Sequence, residues 1–111
     1  MPLMFPKPAP RVVARAAWDA IAANQRRSVY AAVDRRDAYR CVACRKPADP
    51  RAMEMTRHGH HHHITFRSQG GQHVTGNVCL LCPVCHADIH AHRLTIAGNA
   101  DRKLTIERVT A

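Results

Sequence analysis

Aromatic residues are scarce in this chain: one Trp, two Tyr and two Phe among 111 residues. Much of the apolar content is alanine, so the core it builds is small and gains from a metal staple. Acidic residues are also few, eight against seventeen Lys and Arg, which leaves a formal net charge of +9. That surplus predicts a polyanionic partner, nucleic acid before anything else; a merely soluble basic surface is the plainer alternative. No stretch approaches the roughly 18 apolar residues of a membrane span, so no membrane association is expected. The opening MPLMFPKPAP lacks the apolar run of a signal peptide, and a cytoplasmic location is the default expectation. The length suits a single domain.

Cysteine and histidine, by contrast, are present in pattern. Four of the five cysteines form two Cys-x-x-Cys pairs, Cys41/Cys44 and Cys82/Cys85, which is a metal signature rather than a disulfide framework. Two thiolates three positions apart grip one tetrahedral ion, and two such pairs make a closed, structural zinc site. With 37 residues between Cys44 and Cys82, that ion ties the N-terminal half to the segment beyond. Cys79 has no partner in the pattern and reads as a buried strand thiol. Four of the nine histidines are consecutive, His60 to His63, and His86 and His90 lie four apart after the second cysteine pair.

Taken in order, residues 1–10 carry four prolines, which exclude regular helix and predict a flexible arm. The remainder, 11–111, is expected to be one domain in three parts: a basic helical region (11–40), the cysteine- and histidine-bearing core (41–92) and a hairpin (93–111). In the first part, Val13, Ala17 and Ile21 mark a narrow apolar stripe on an alanine-rich helix from Arg11 to Asn24, with Trp18 as a core anchor. Ser28 can cap a second helix, about Val29 to Asp37, with Val29 and Val33 on its buried side. Arg26, Arg27, Arg35 and Arg36 bracket that helix, either as phosphate contacts or as a solvated basic face. Ala48–Gly59 reads as a loop in which Met53 and Met55 alternate and pack beneath the site.

His61–Phe66 is expected to be a short strand, followed by a loop whose Gly70 and Gly71 tolerate positive φ. In a second strand, Asn77–Leu81, Val78 and Leu80 point one way and Cys79 and Leu81 the other. Pro83 suits a first helical position in a helix to about His92. Cys82 and Cys85 share one face of it; His86, about 100° further round, faces the strands, with His90 on the same side. Leu94-Thr95-Ile96 and Leu104-Thr105-Ile106, around Gly98–Asp101, predict a hairpin over one side of the core.

The run His62-His63-Ile64, the glycine-bearing loop, Asn77 and Cys82-Pro83-Val84-Cys85-His86 together resemble the core of the HNH nucleases, including the paired cysteine knuckles that many members carry. The resemblance covers about 50 residues and implies an α+β fold: a small zinc-stapled ββα-metal core with N-terminal basic helices and a C-terminal β-hairpin. It further implies a metal-dependent DNA endonuclease or nickase. In that scheme His62 holds a catalytic divalent ion with His86, His63 is the general base, and Asn77 fixes the loop between the strands. His90 is a third ligand or a phosphate donor. Adjacent strand residues point to opposite sides, which agrees with giving one imidazole the ion and the other a water. Many members have Asp where this chain has His62, which weakens the case for Mg²⁺ and favours Zn²⁺, Ni²⁺ or Mn²⁺. Arg67 and, more weakly, Arg93 are candidates for the scissile phosphate; Arg35 and Arg36 for flanking DNA. RNA is not excluded as substrate, and a separate targeting or packaging protein would supply sequence preference. The size suits phage or mobile-element nucleases. A zinc-stapled DNA-binding module without activity is the alternative, and a metal-handling protein the third.

Overall fold

The N-terminal helix is continuous where the sequence suggested two. In the computed structural model, which describes residues 11–109 and, in the helix, no side chains at 11–15 or 18, α1 runs Arg11–Arg36. Expectations for the arm 1–10 and for the side chains of Val13 and Trp18 lie outside the described residues. Ser28 stands mid-helix instead of capping a new one. Nothing between Asn24 and Val29 breaks a helix, and an interior serine costs only about 0.5 kcal/mol relative to alanine. The expected stripe is also displaced: Ala17 is exposed and Ile21 is 50% exposed. Packing begins about two to three turns later, where Val33, with Val29 and Tyr30 beside it, meets Val78 and Leu80.

Ala38 and Tyr39, both at positive φ, end α1 and turn the chain into the first cysteine knuckle. There the amide of Arg45 bonds back to the Cys41 carbonyl and that of Val42 reaches Leu80 O at 3.0 Å. A 3₁₀ turn at Met55–Arg57 precedes β1 (His60–His63). Met53 and Met55, expected beneath the site, are 97% and 80% exposed: their period of two falls in a turn, not a strand. β1 pairs antiparallel with β2 (Val78–Leu81), placing His62 opposite Cys79 and His63 opposite Val78. α2 follows at Pro83–His90, two residues shorter than expected. β3 (Leu94–Asn99) and β4 (Lys103–Arg108) form a separate antiparallel hairpin, its turn displaced to residues 100–102.

β2 is buried along its whole length and divides the interior as its alternation predicts. Val78 and Leu80 face α1; Cys79 and Leu81 join Cys41, Cys82, Cys85 and Leu94 in a second cluster, with Ile96, Leu104 and Ile106 of the hairpin packed against it. The fold is α+β: among the described residues, two α-helices and two small antiparallel sheets, with β2 at the centre. No helix among the described residues is long and apolar enough to cross a membrane.

Arg36 departs most from expectation. Its guanidinium is only partly exposed; it stitches the end of α1 to the far side of the molecule. Nε and Nη2 donate to Asp37, Nη1 to Asp101 and to the Thr75 carbonyl (2.7 Å), and Nη2 to the Val78 carbonyl (2.6 Å). With its donors used inside the fold, Arg36 is corrected from a DNA contact to a structural clamp. Arg35, one residue earlier and about 100° away, is exposed.

Candidate active site and metal centre

The two knuckles are built alike. In each, the first cysteine's sulfur accepts the amide three residues on: Cys44 N to Cys41 Sγ at 3.5 Å and Cys85 N to Cys82 Sγ at 3.4 Å. Cys82 is thereby the N-cap of α2, with Pro83 at the first helical position, where its missing N–H costs nothing. The four sulfurs of Cys41, Cys44, Cys82 and Cys85 lie within 4.8 Å of one another, and those of Cys44 and Cys82 are 3.6 Å apart. A tetrahedral zinc with Zn–S bonds of about 2.3 Å sets its ligands roughly 3.8 Å apart, so the donor set fits that ion. Burial pushes the Cys44 and Cys85 thiols up. At Cys41 burial acts the same way, but the amides of Cys82, Cys44 and Ala43 outweigh it and the net shift is down. Arg108 of β4 approaches the cluster, its Nη2 3.5 Å from Cys85 Sγ. Cys79 stands apart, its thiol pushed up to about 12 by burial.

On the other side of α2 lie histidines. Strand alternation sends His60 and His62 toward the helix, His61 and His63 away from it. His62 is 4% exposed, its ring 5.8 Å from that of His86. The rings of His86 and His90 are 4.7 Å apart, with their Nε2 atoms at 3.3 Å. Two imidazoles on one tetrahedral ion, with bonds of about 2.1 Å, have nitrogens roughly 3.4 Å apart and ring centres roughly 5 to 6 Å apart. The 3.3 Å between the Nε2 atoms of His86 and His90 and the 5.8 Å between the rings of His62 and His86 match, and the 4.7 Å between the rings of His86 and His90 is slightly short. The three donors nevertheless do not close on a point: among the described residues only the cysteine set brings three or more ligand atoms within 4.8 Å. Burial, then the neighbouring His86, His90 and His63, holds His62 down to about 4, so at neutral pH the ring is uncharged and keeps a lone pair. Burial likewise lowers His86, aided by His60 and His90.

The opposite face holds His63, half-buried, with Nε2 2.9 Å from Nδ1 of His73. Burial is the main cause that lowers both rings. Beside them, Tyr30 of α1 stacks on His61 at 3.8 Å and meets His73 edge-on at 4.8 Å, while His61 Nε2 donates to Asp34 at 2.7 Å. Asn77 ties the intervening loop closed. Its Oδ1 accepts the Thr65 amide at 2.8 Å, and its Nδ2 donates to the carbonyls of Thr65 and Gln72. Gly70 sits at φ 87, and a Cβ on Gly71 would lie 1.8 Å from the Thr65 carbonyl oxygen, so both glycines are required by this turn.

Of the basic candidates, Arg35 and Arg67 are exposed, and Arg93 is paired with Asp88 at 3.2 Å. Two residues near the site went unassigned in the sequence. The ring of His60 is 4.8 Å from that of His86, which the i, i+2 rule for strands would have signalled. His73 lies in the glycine-bearing loop, where no periodicity applies.

Comparison with known proteins gives one positive result. No curated protein and no solved structure matches the chain. Residues 41–92 match the family model described as HNH endonuclease, a segment that begins at the first knuckle cysteine and ends just past α2. By that match, on the ββα arrangement of β1, β2 and α2 beside a four-cysteine cluster fit for zinc, residues 41–92 of this chain are a domain of the HNH family.

Proposed function

We propose that the chain is a metal-dependent endonuclease or nickase that hydrolyses phosphodiester bonds in DNA. The observation that carries this is the division of labour along β1: His62 lies buried beside His86 and His90, while His63 turns to the other face. On this reading His62 and His86 hold a divalent ion, with His90 as third ligand, and Cys41, Cys44, Cys82 and Cys85 hold a structural zinc. When bound, the divalent ion supplies positive charge against the oxygens of the attacked phosphate and the departing 3′ oxygen. His63, a neutral imidazole, removes the proton of the attacking water. Asn77 keeps the loop after His63 at a fixed distance from β2, and Arg67, exposed on that loop, holds the phosphate. Three imidazoles favour Zn²⁺, Ni²⁺ or Mn²⁺ over Mg²⁺. The net charge of +9 supports a nucleic-acid substrate.

Plasmid cleavage across Mn²⁺, Ni²⁺, Zn²⁺ and Mg²⁺, with EDTA as control, tests the reading. His63→Ala is expected to lose about 10²–10⁴-fold in rate and still bind DNA; wild-type cutting by that variant refutes the base assignment. The incomplete closure of the histidine donors favours one other reading, a zinc-stapled DNA-binding module without activity. That module would shift DNA but leave it uncut whatever metal is added.

A further inference from the structure

The geometry points to His73 as a positioning residue for His63, one that fixes which ring nitrogen faces the reacting water. This rests on the assignment of His63 as general base and adds a residue to it. An imidazole serves as a base only through a nitrogen without a proton, so a base histidine must carry its proton on the other side. His63 has two different surroundings for its two nitrogens. Nε2 is 2.9 Å from His73 Nδ1. Nδ1 has no hydrogen-bond partner among the described residues and is not among their fully buried unpartnered atoms.

The bond between two neutral rings permits two arrangements. If His73 Nδ1 donates, His63 Nε2 is the acceptor, its proton sits on Nδ1, and no lone pair is left for water. If His63 Nε2 donates, Nδ1 is bare and the ring is a base. The surroundings of His73 choose the second. Its remaining nitrogen, Nε2, is buried with no hydrogen-bond partner, and the nearby main chain of Arg26 acts to favour a proton on the ring, against the larger effect of burial. A backbone group with that effect is a carbonyl. On this assignment the proton of His73 sits on Nε2, its Nδ1 accepts from His63 Nε2 across 2.9 Å, and His63 is held with Nδ1 free. Tyr30, edge-on to His73, fixes the ring plane from α1. The first helix thus reaches the base through two aromatic contacts.

The test compares three variants at position 73 by steady-state plasmid cleavage, with zinc content and DNA affinity measured alongside. Asparagine places a carbonyl oxygen where Nδ1 now lies and can accept from His63; glutamine, one carbon longer, places its polar atoms near Nε2; phenylalanine offers no acceptor. His73→Asn is expected to stay within a few-fold of wild type. His73→Phe and His73→Gln are expected to lose roughly 10- to 100-fold in kcat, the scale found when a partner that orients a functional imidazole is removed, with KM and zinc content unchanged. In the double variant His63→Ala/His73→Phe, cleavage should be no slower than in His63→Ala alone. Equal rates for the Asn, Gln and Phe variants overturn the inference, as does a His73→Phe protein that cuts like wild type. Should the Phe variant lose zinc, the Asn and Gln pair decides. A fully active His63→Ala removes the base assignment itself; an inactive His63→Ala beside a fully active His73→Phe removes only the role of His73.

Discussion

Replacing Arg36 with methionine separates a structural clamp from a DNA contact. The side chain is 23% exposed, and its first partner, Asp37, only 8%. Methionine fills similar space but leaves the Thr75 and Val78 carbonyls without their donor, and it leaves Asp37 with the Leu80 amide as its remaining partner. Breaking a buried ion pair from one side costs about 3–5 kcal/mol. The partial exposure here puts the expectation at the lower end, about 3 kcal/mol. At roughly 4–8 °C per kcal/mol for a domain of this size, the melting temperature should fall by about 12–24 °C. Arg36→Lys keeps the charge but cannot fork to four acceptors, so it should fall between the two. Thermal melts of the zinc-loaded proteins read this directly. If the methionine variant melts with wild type and instead loses DNA affinity, the clamp is wrong and Arg36 returns to the nucleic-acid surface.

Other expectations concern metal, acid and DNA. The protein should carry about one tightly held zinc per chain, read by mass spectrometry; Cys82→Ser should lose it together with the folded circular-dichroism signal. Acid should weaken the fold through His62, which is held down to about 4 in the folded chain against about 6.5 unfolded. Below pH 6.5 the unfolded chain takes up a proton that the folded one refuses. Stability contributed at His62 is therefore lost as pH falls from about 6.5 to 4, by roughly 3 kcal/mol in all. Urea midpoints without added divalent ion should show this fall in wild type and not in His62→Asn; parallel curves would refute it. Arg35→Ala and Arg67→Ala should each reduce the slope of log affinity against log salt by about one phosphate contact. An unchanged slope would return both to an ordinary solvated face.

Much of this site could be read from spacing because its chemistry is local. Cysteines three apart, an alternating β2 and the pair His62–His63 each obey a period set by the backbone, and the structure keeps all three patterns. The misreadings have long-range causes. Spacing alone puts Arg36 on the surface, because its acceptors, Thr75 and Val78, lie 39 and 42 residues away, where no pattern connects them. The broken first helix came from treating Ser28 as a cap, although a serine caps only where the chain has already left the helix. His73 could not be singled out, since its role depends on a loop closed by Asn77. Met53 and Met55 alternate, but too few residues alternate with them to make a strand.

Cys44 and Cys82, 38 positions apart, bring their sulfurs to 3.6 Å, so a zinc bound there would make the chain between them a ring with its clasp at the sulfurs. A cross-link over a loop of that length is worth about 4 kcal/mol in chain entropy, a large share of what so small an interior can supply. His62 and His63 ride on the ring, whereas His86 and His90 stand just outside the clasp. Opening it by thiol oxidation or metal starvation would release one half of the histidine face from the other, and on the proposed function that would silence cutting from a distance.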